Sequence, residues 1–408
     1  MTTDVLPTWI RYSERAFAVN FVAFSFVMFS CWFTTGFSAT FSTLAFVFAL
    51  PVFFFRMKAL FLNKFEKTGL VLFLWLAASV LWSTSPFKDS LDYLGEYRLY
   101  FIVPIFTFVL AFNPEVQRYA FRGAVFGAIA ALLASYALGF GLLHLEGAHL
   151  SLADHIYHGF IMSCLLAVCL VMYRESVGWR KLLVAILASA VFYNVLAIEQ
   201  GRTGYLQIIS VCATLAFLNL SRIRAMTVVG IIVSIVLLSY LVSERLQHRI
   251  DLTVRSVQAL LVDPNYESSL GMRVAFYSAA IDIGFEHPLT GVGVGDVTKE
   301  LRDRAESGQM PVLTDNVHSE FLNMFVAGGL PAFFLFVCFL GSIFYTGFIV
   351  RRKCRQTGDF FIALGVVVLI SALFNSTVKD YGEKHALIIM LSILGGRLAG
   401  LIRQPDLR

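Results

Sequence analysis

Residues 319–350 read SEFLNMFVAGGLPAFFLFVCFLGSIFYTGFIV, with Glu320 the one charged residue, and run straight into Arg351-Arg352-Lys353. A helix crosses the roughly 30 Å hydrocarbon core with about 20 apolar residues, so this stretch predicts a transmembrane helix with a basic flank. Eleven more stretches qualify or come close: roughly 16–34, 37–55, 68–84, 99–112, 119–143, 157–173, 182–198, 203–220, 225–242, 360–378 and 385–402. The 99–112 run is short, and its helix is expected to start before Arg98 as a tilted or partly buried span. The first run follows Arg11 and Arg15 as a signal peptide would. It is too long for an ordinary h-region and lacks a small-x-small cleavage site, so it reads as a retained first span.

Composition says the same. The 408 residues are 58% hydrophobic, 15% aromatic and 14% charged, against about 25% charged in a soluble domain. Forty phenylalanines would have no place to hide in water, which excludes a secreted or cytosolic globular enzyme. The net charge of +5 forms no nucleic-acid patch, and the six cysteines (31, 164, 169, 212, 338, 354) suggest neither a disulfide framework nor a zinc site. The expected fold class is an all-α polytopic membrane protein of about 12 transmembrane helices with one large helical outer loop.

Counting Lys and Arg in alternate connections places 19 on one side and 5 in the short connections of the other. The positive-inside rule then makes both termini cytoplasmic. Residues 243–318 form the one long connection, on the outer side. The expected organisation is 1–242 with nine spans, 243–318 as a periplasmic loop domain carrying part of the active site, and 319–408 with three more spans. A connection that long is usually functional.

The informative polar residues sit at the outer surface. Arg202 stands in Glu199-Gln200-Gly201-Arg202-Thr203-Gly204, Arg273 in Gly271-Met272-Arg273 ahead of an apolar helix, and His318 in Thr314-Asp315-Asn316-Val317-His318-Ser319-Glu320. Two arginines at one interface suit a diphosphate, because the guanidinium fork pairs phosphate oxygens and never loses its charge. Either arginine alone is as well explained by snorkelling or by pairing with Glu199 or Glu286. If Asp315 or Thr314 caps the following helix, His318 falls in its first turn, where the helix-end field keeps the ring neutral and fit to be a general base. An interfacial histidine satisfied by water is the plain alternative.

His287-Pro288-Leu289-Thr290-Gly291-Val292-Gly293-Val294-Gly295-Asp296 lacks the G-x-G-x-x-G spacing of a dinucleotide site. Its backbone N–H groups remain able to touch phosphate, but a turn needing positive φ is the likelier role. His144, His149, His155 and His158, with Glu146 and Asp154, invite a metal reading, yet their loose spacing favours interfacial histidines. No metal site and no cofactor are expected.

The order of these motifs resembles the O-antigen ligase and polymerase superfamily of bacterial membrane glycosyltransferases. The matching elements are Arg202-Thr203-Gly204, Arg273, His287-Pro288-Leu289-Thr290-Gly291-Val292-Gly293, His318-Ser319-Glu320-Phe321-Leu322 and Gly328-Gly329-Leu330-Pro331. Three positions depart from the pattern: Ser319 where Asn is common, Ala327 where Glu often stands, and Gly201 in place of a frequent Ser. The resemblance implies a GT-C-like bundle in the bacterial inner membrane and a metal-independent, inverting transfer at its periplasmic face. The donor would be a glycan on undecaprenyl diphosphate and the acceptor, in the ligases, a sugar hydroxyl of lipid A–core. The resemblance gives His318 as base and Arg202 and Arg273 as diphosphate ligands. Arg98, Lys88, Asn316, Lys379 and Asp380 are further candidates for holding phosphate or acceptor. Asp380 is equally accounted for by an ion pair with Lys379 or Lys384. A repeat-unit polymerase of the same superfamily stays open, as does, from another class, a polytopic transporter or flippase.

Overall fold

The computed structural model describes residues 6–31, 35–144, 152, 154–199, 201–242, 247–248, 250–252, 254–256, 258 and 268–403. Glu146, His149 and Gln200, named above, lie outside the described residues. Among the described residues the ordered elements are all helical. The first ten helices are α1 (Thr8–Ser30), α2 (Thr35–Arg56), α3 (Lys64–Ala78), α4 (Phe87–Glu96), α5 (Leu99–Leu110), α6 (Pro114–Gly139), α7 (His155–Glu175), α8 (Gly178–Tyr193), α9 (Arg202–Asn219) and α10 (Arg222–Val242). The long connection contributes α11 (Ser269–Glu286) and α12 (Val297–Glu306), and the chain closes with α13 (Glu320–Arg351), α14 (Arg355–Phe374) and α15 (Tyr381–Arg403).

Among the described residues each of the twelve apolar runs is mainly helical, because an all-apolar run in lipid satisfies its backbone only within a helix. Seven helices among the described residues are individually long and apolar enough to cross a membrane, and α4 with α5 forms a further candidate bent by 49° at the break around Arg98. Among the described residues the 15-residue α3 and the Gln- and Thr-bearing α9 are not among the seven.

Helices α7, α14 and α15 form the centre, with 72% of their apolar windows buried, against 28% for α2 and α8 at the periphery. Helix α1 packs on α6 and α2, α13 on α14 and α3, α15 on α5, and α7 on α9 and α8. The loop helix α11 lies against α13, so the long connection is docked onto the bundle where it carries Arg273.

The 32-residue α13 is two helices joined at Gly329, whose φ of 67° and ψ of −165° are not helical. Leu330 turns its N–H to the Pro288 carbonyl (2.8 Å) and Pro331 has none to give, so the carbonyls of Val326 and Ala327 lose their usual partners. They are recovered by the N–H groups of Val292 (2.9 Å) and Gly293 (3.1 Å). The Trp75 indole donates to Gly328 O at 2.8 Å. The Gly-rich turn therefore plugs the break. A Cβ on Gly291, at φ +64°, would lie 2.5 Å from the Gly328 nitrogen.

That turn is used up internally. Val294 N–H goes to Ser79 Oγ (3.1 Å) and Gly295 N–H to Ser83 Oγ (3.1 Å). The Asp296 carboxylate accepts from the N–H groups of Thr84 and Ser85 at 2.7 Å each. The expectation that this backbone remained available to phosphate is corrected: its N–H groups bind protein.

Candidate functional site

The loop before α13 is built around one strained residue. Thr314 Oγ1 accepts from Asn316 N–H (3.0 Å), and Asn316 Oδ1 accepts from His318 N–H (2.9 Å). His318 itself is left-handed, at φ 57°, a conformation costing a residue with a Cβ about 1–2 kcal/mol. Its carbonyl accepts the Tyr277 hydroxyl at 3.0 Å. Both backbone polar groups of His318 are thus held by side chains, one local and one from α11.

This geometry corrects the capping expectation. Thr314 and Asp315 cap no helix; Ser319 is the N-cap and α13 starts at Glu320, leaving His318 outside the first turn. The Glu320 N–H is spent on the Asn375 carbonyl at 3.1 Å. The Glu320 carboxylate accepts from Val378 N–H (2.8 Å) and Lys379 N–H (3.3 Å), so it faces the 375–380 loop rather than the imidazole.

The His318 ring lies nearly parallel to Phe276, centroids 6.1 Å apart. Its Nδ1 is enclosed without a hydrogen-bond partner. Burial lowers its pKa, and the positive charges of Arg273 and Lys379 lower it further against the opposing Asp315 and Asp154. The ring is neutral, as a base requires, but the cause is burial and two neighbouring cations instead of a helix end.

Arg273 stands one turn before Tyr277 on α11 and reaches Asn375 Oδ1 only at 3.5 Å. It forms no ion pair among the described residues; Glu286, its suggested partner, stands 13 residues further along the same helix and pairs with Arg304. From the last loop, Lys379 donates its ammonium to the Asp315 carbonyl and sits 4.7 Å over the Tyr93 ring; burial lowers its pKa. The Asp380 carboxylate accepts from Asn316 Nδ2 at 2.8 Å. Burial pushes Asp380 up to about 6 against the pull of Lys379. Asp380 therefore braces the residue that braces His318. Lys384 pairs with Glu96 and not with Asp380.

His318, Arg273, Asn316, Lys379 and Asp380 are brought together directly. Arg202 enters from the neighbouring corner: it opens α9 after Gly201, whose Cβ position lies 3.1 Å from the His155 carbonyl. Asp154, next to His155 and hydrogen-bonded to it at 2.9 Å, is close enough for its charge to act on both His318 and Asp380. The five-residue π turn Asn194–Ile198 precedes this corner, a helix form concentrated at functional sites.

Arg98 and Lys88 are placed differently. Arg98 bonds Gly95 O (3.0 Å) and approaches His385 Nε2 (3.3 Å) at the base of the last loop. Lys88 is exposed on α4. The two helix-spaced histidines also part: His155 pairs with Asp154, whereas buried His158 meets Asn194 Oδ1 at 3.0 Å. Among the described residues no group of three His, Cys, Asp or Glu side chains could hold a metal ion.

Sequence reasoning passed over Tyr277, Asn375 and Ser376, whose hydroxyl donates to Asn316 Oδ1. Tyr277 carried a signal, four residues after Arg273 and so on the same helix face. Asn375 and Ser376 carried none, since an amide and a hydroxyl at the end of an apolar run look like ordinary helix termini.

The family model described as O-antigen ligase matches residues 184–337. That segment runs from within α8 to within α13 and includes Arg202, Arg273, the Gly-rich turn, His318 and the Gly329 break. No curated protein matches the chain.

Proposed function

We propose that this chain is a glycosyltransferase of the bacterial inner membrane that moves an O-antigen glycan from undecaprenyl diphosphate to a sugar hydroxyl of lipid A–core at the periplasmic face. The observation that carries the proposal is His318. It is a half-buried imidazole with an unpartnered Nδ1, in a strained backbone clamped at both N–H and carbonyl, near enough to the Arg273 guanidinium to feel its charge, and Arg273 has no ion pair among the described residues. Strain of this kind persists only where surroundings over-determine it, and it concentrates at active sites.

The acceptor hydroxyl gives its proton to the His318 ring while its oxygen attacks the anomeric carbon. The bond from that carbon to the diphosphate breaks, and the leaving group keeps the electron pair as undecaprenyl diphosphate. Arg202 and Arg273 bind the diphosphate, and Lys379 adds positive charge on the same side. A diphosphate is already a good leaving group, so fixed cations and positioning supply most of the acceleration, with no metal required. Single displacement inverts the anomeric configuration; a retained configuration in the product would refute the scheme. Asn316 and Asp380 act through the placement of His318.

The test is a lipopolysaccharide gel from a deletion strain rescued with wild type or His318→Ala. Bare core with persisting lipid-linked polymer, relieved only by wild type, supports the ligase. Core carrying a single repeat unit would mean a polymerase, and an unchanged ladder would remove both.

A further inference from the structure

The structure holds an apolar cleft that runs from the π turn Asn194–Ile198 down to Arg174 and Asp359 at the other end of the bundle. Helix α8 packs on α7 and α10 on α9. Between them opens a cleft of about 1390 Å³, beyond the roughly 300–1,000 Å³ of small-molecule sites. Leu166, Leu170, Phe192, Leu215 and Ile232 are among the side chains on its wall. Such a wall repels water, and an empty cleft would forfeit its dispersion contacts. Facing a bilayer, it asks for hydrocarbon.

One end of the cleft is polar, where Arg174, Lys181, Asn219 and Asp359 line it. Arg174 is committed to Asp359 (2.6 Å) and Glu175 (2.8 Å). Lys181 lies 4.7 Å over the Tyr173 ring and forms no ion pair among the described residues. Arg180, beside the exposed Trp179, is exposed in the first turn of α8, and Arg222 and Arg224 are exposed in the first turn of α10, the helices that flank the cleft. Helix α7 carries His155 at the site end and Arg174 at this end, which its rise separates by about 30 Å. The basic mouth therefore opens at the opposite membrane surface.

We propose that this cleft is a binding site for an anionic glycerophospholipid drawn from the leaflet at the Arg174 end. Its acyl chains fill the space between α8 and α10, and its phosphate is held by Lys181 with Arg180, Arg222 and Arg224 around it. Basic pockets between membrane helices at that surface suit such head groups, and Trp179 anchors the same interface. The lipid supplies the packing that α8 and α10 do not give each other. The head-group end of this site lies at the surface opposite His318, so the proposal stands if the glycan-transfer reading fails.

The test uses the full chain extracted in mild detergent, with native mass spectrometry and extraction of the retained lipid. One anionic phospholipid per chain is expected. Arg180→Glu with Lys181→Glu should lose it and lower the melting temperature. Stripped wild type should regain melting temperature with phosphatidylglycerol and not with phosphatidylcholine. Ala188→Trp, which fills the cleft without touching charge, should also exclude the lipid, and it serves if the double variant fails to fold. A zwitterionic lipid, a polyprenyl lipid, a second copy of the chain covering the cleft, or unchanged retention in both variants would each overturn the proposal.

Discussion

At His318 the chemistry and the strain coincide. A general base contributes typically about 10²–10⁴-fold, so His318→Gln should lower transfer by that factor in membranes supplied with donor and acceptor. The pH profile is the sharper measurement. Burial, then Arg273 and Lys379, disfavour the imidazolium, so the acid limb of kcat/KM should fall below an ordinary histidine's pKa of about 6.5. Removing a cation raises the pKa, and Lys379→Met should move the limb to higher pH. Asp380, pushed up to about 6 by burial against the pull of Lys379, would shift the same way in Lys379→Met, so the two are separated by Asp380→Asn: a limb that vanishes there belongs to Asp380, and one that persists belongs to His318. Tyr277→Phe tests the clamp. Losing one hydrogen bond to the His318 carbonyl should cost about 1 kcal/mol of stability, with kcat falling while KM holds.

At the level of elements, the broken α13 and the turn that plugs it depend on each other. Gly291→Ala meets both a left-handed backbone and a neighbouring nitrogen 2.5 Å away, so it should cost well over the roughly 1–2 kcal/mol of the conformation alone. Gly308→Ala is the control: its φ is +79° with nothing within 4 Å, so it should show only the conformational cost in a thermal melt. Trp75→Phe strands the Gly328 carbonyl at the break and should cost about 1–3 kcal/mol. If Gly291→Ala and Gly308→Ala melt alike, the interlock is not what holds α13.

Over the whole molecule, the end opposite His318 is tied by Asp359, fully buried and bridging Arg174 and Arg351 at 2.6 Å each. Breaking a buried pair costs up to about 3–5 kcal/mol, and less here because both arginines keep part of their surface in water. Asp359→Asn should therefore lower the melting temperature of the detergent-solubilised chain and leave the pH profile of transfer unchanged. The proposed orientation, with both termini cytoplasmic, predicts that cysteines placed near either terminus resist a membrane-impermeant thiol reagent in intact cells, while a cysteine at exposed Lys88 reacts. The reverse pattern would invert the molecule and put His318 on the wrong side for a periplasmic acceptor.

The twelve helical runs were legible in the sequence because hydropathy is a local property and lipid leaves an apolar run no alternative to a helix. The polar residues Arg202, Arg273 and His318 stood out for the related reason that polar groups near a membrane are costly and therefore sparse. What the tertiary structure alone decided is how His318 is held. Its left-handed backbone, its neutrality and its clamp come from Asn316, Tyr277 and the 375–380 loop, which meet only because α11 docks on α13 and the last two helices turn back beside it. The same holds for the Gly-rich turn. Its glycines announce a tight turn, but that it closes a break in a helix some 40 residues further on is a matter of contact between distant segments, and contact of that kind leaves no periodicity to read.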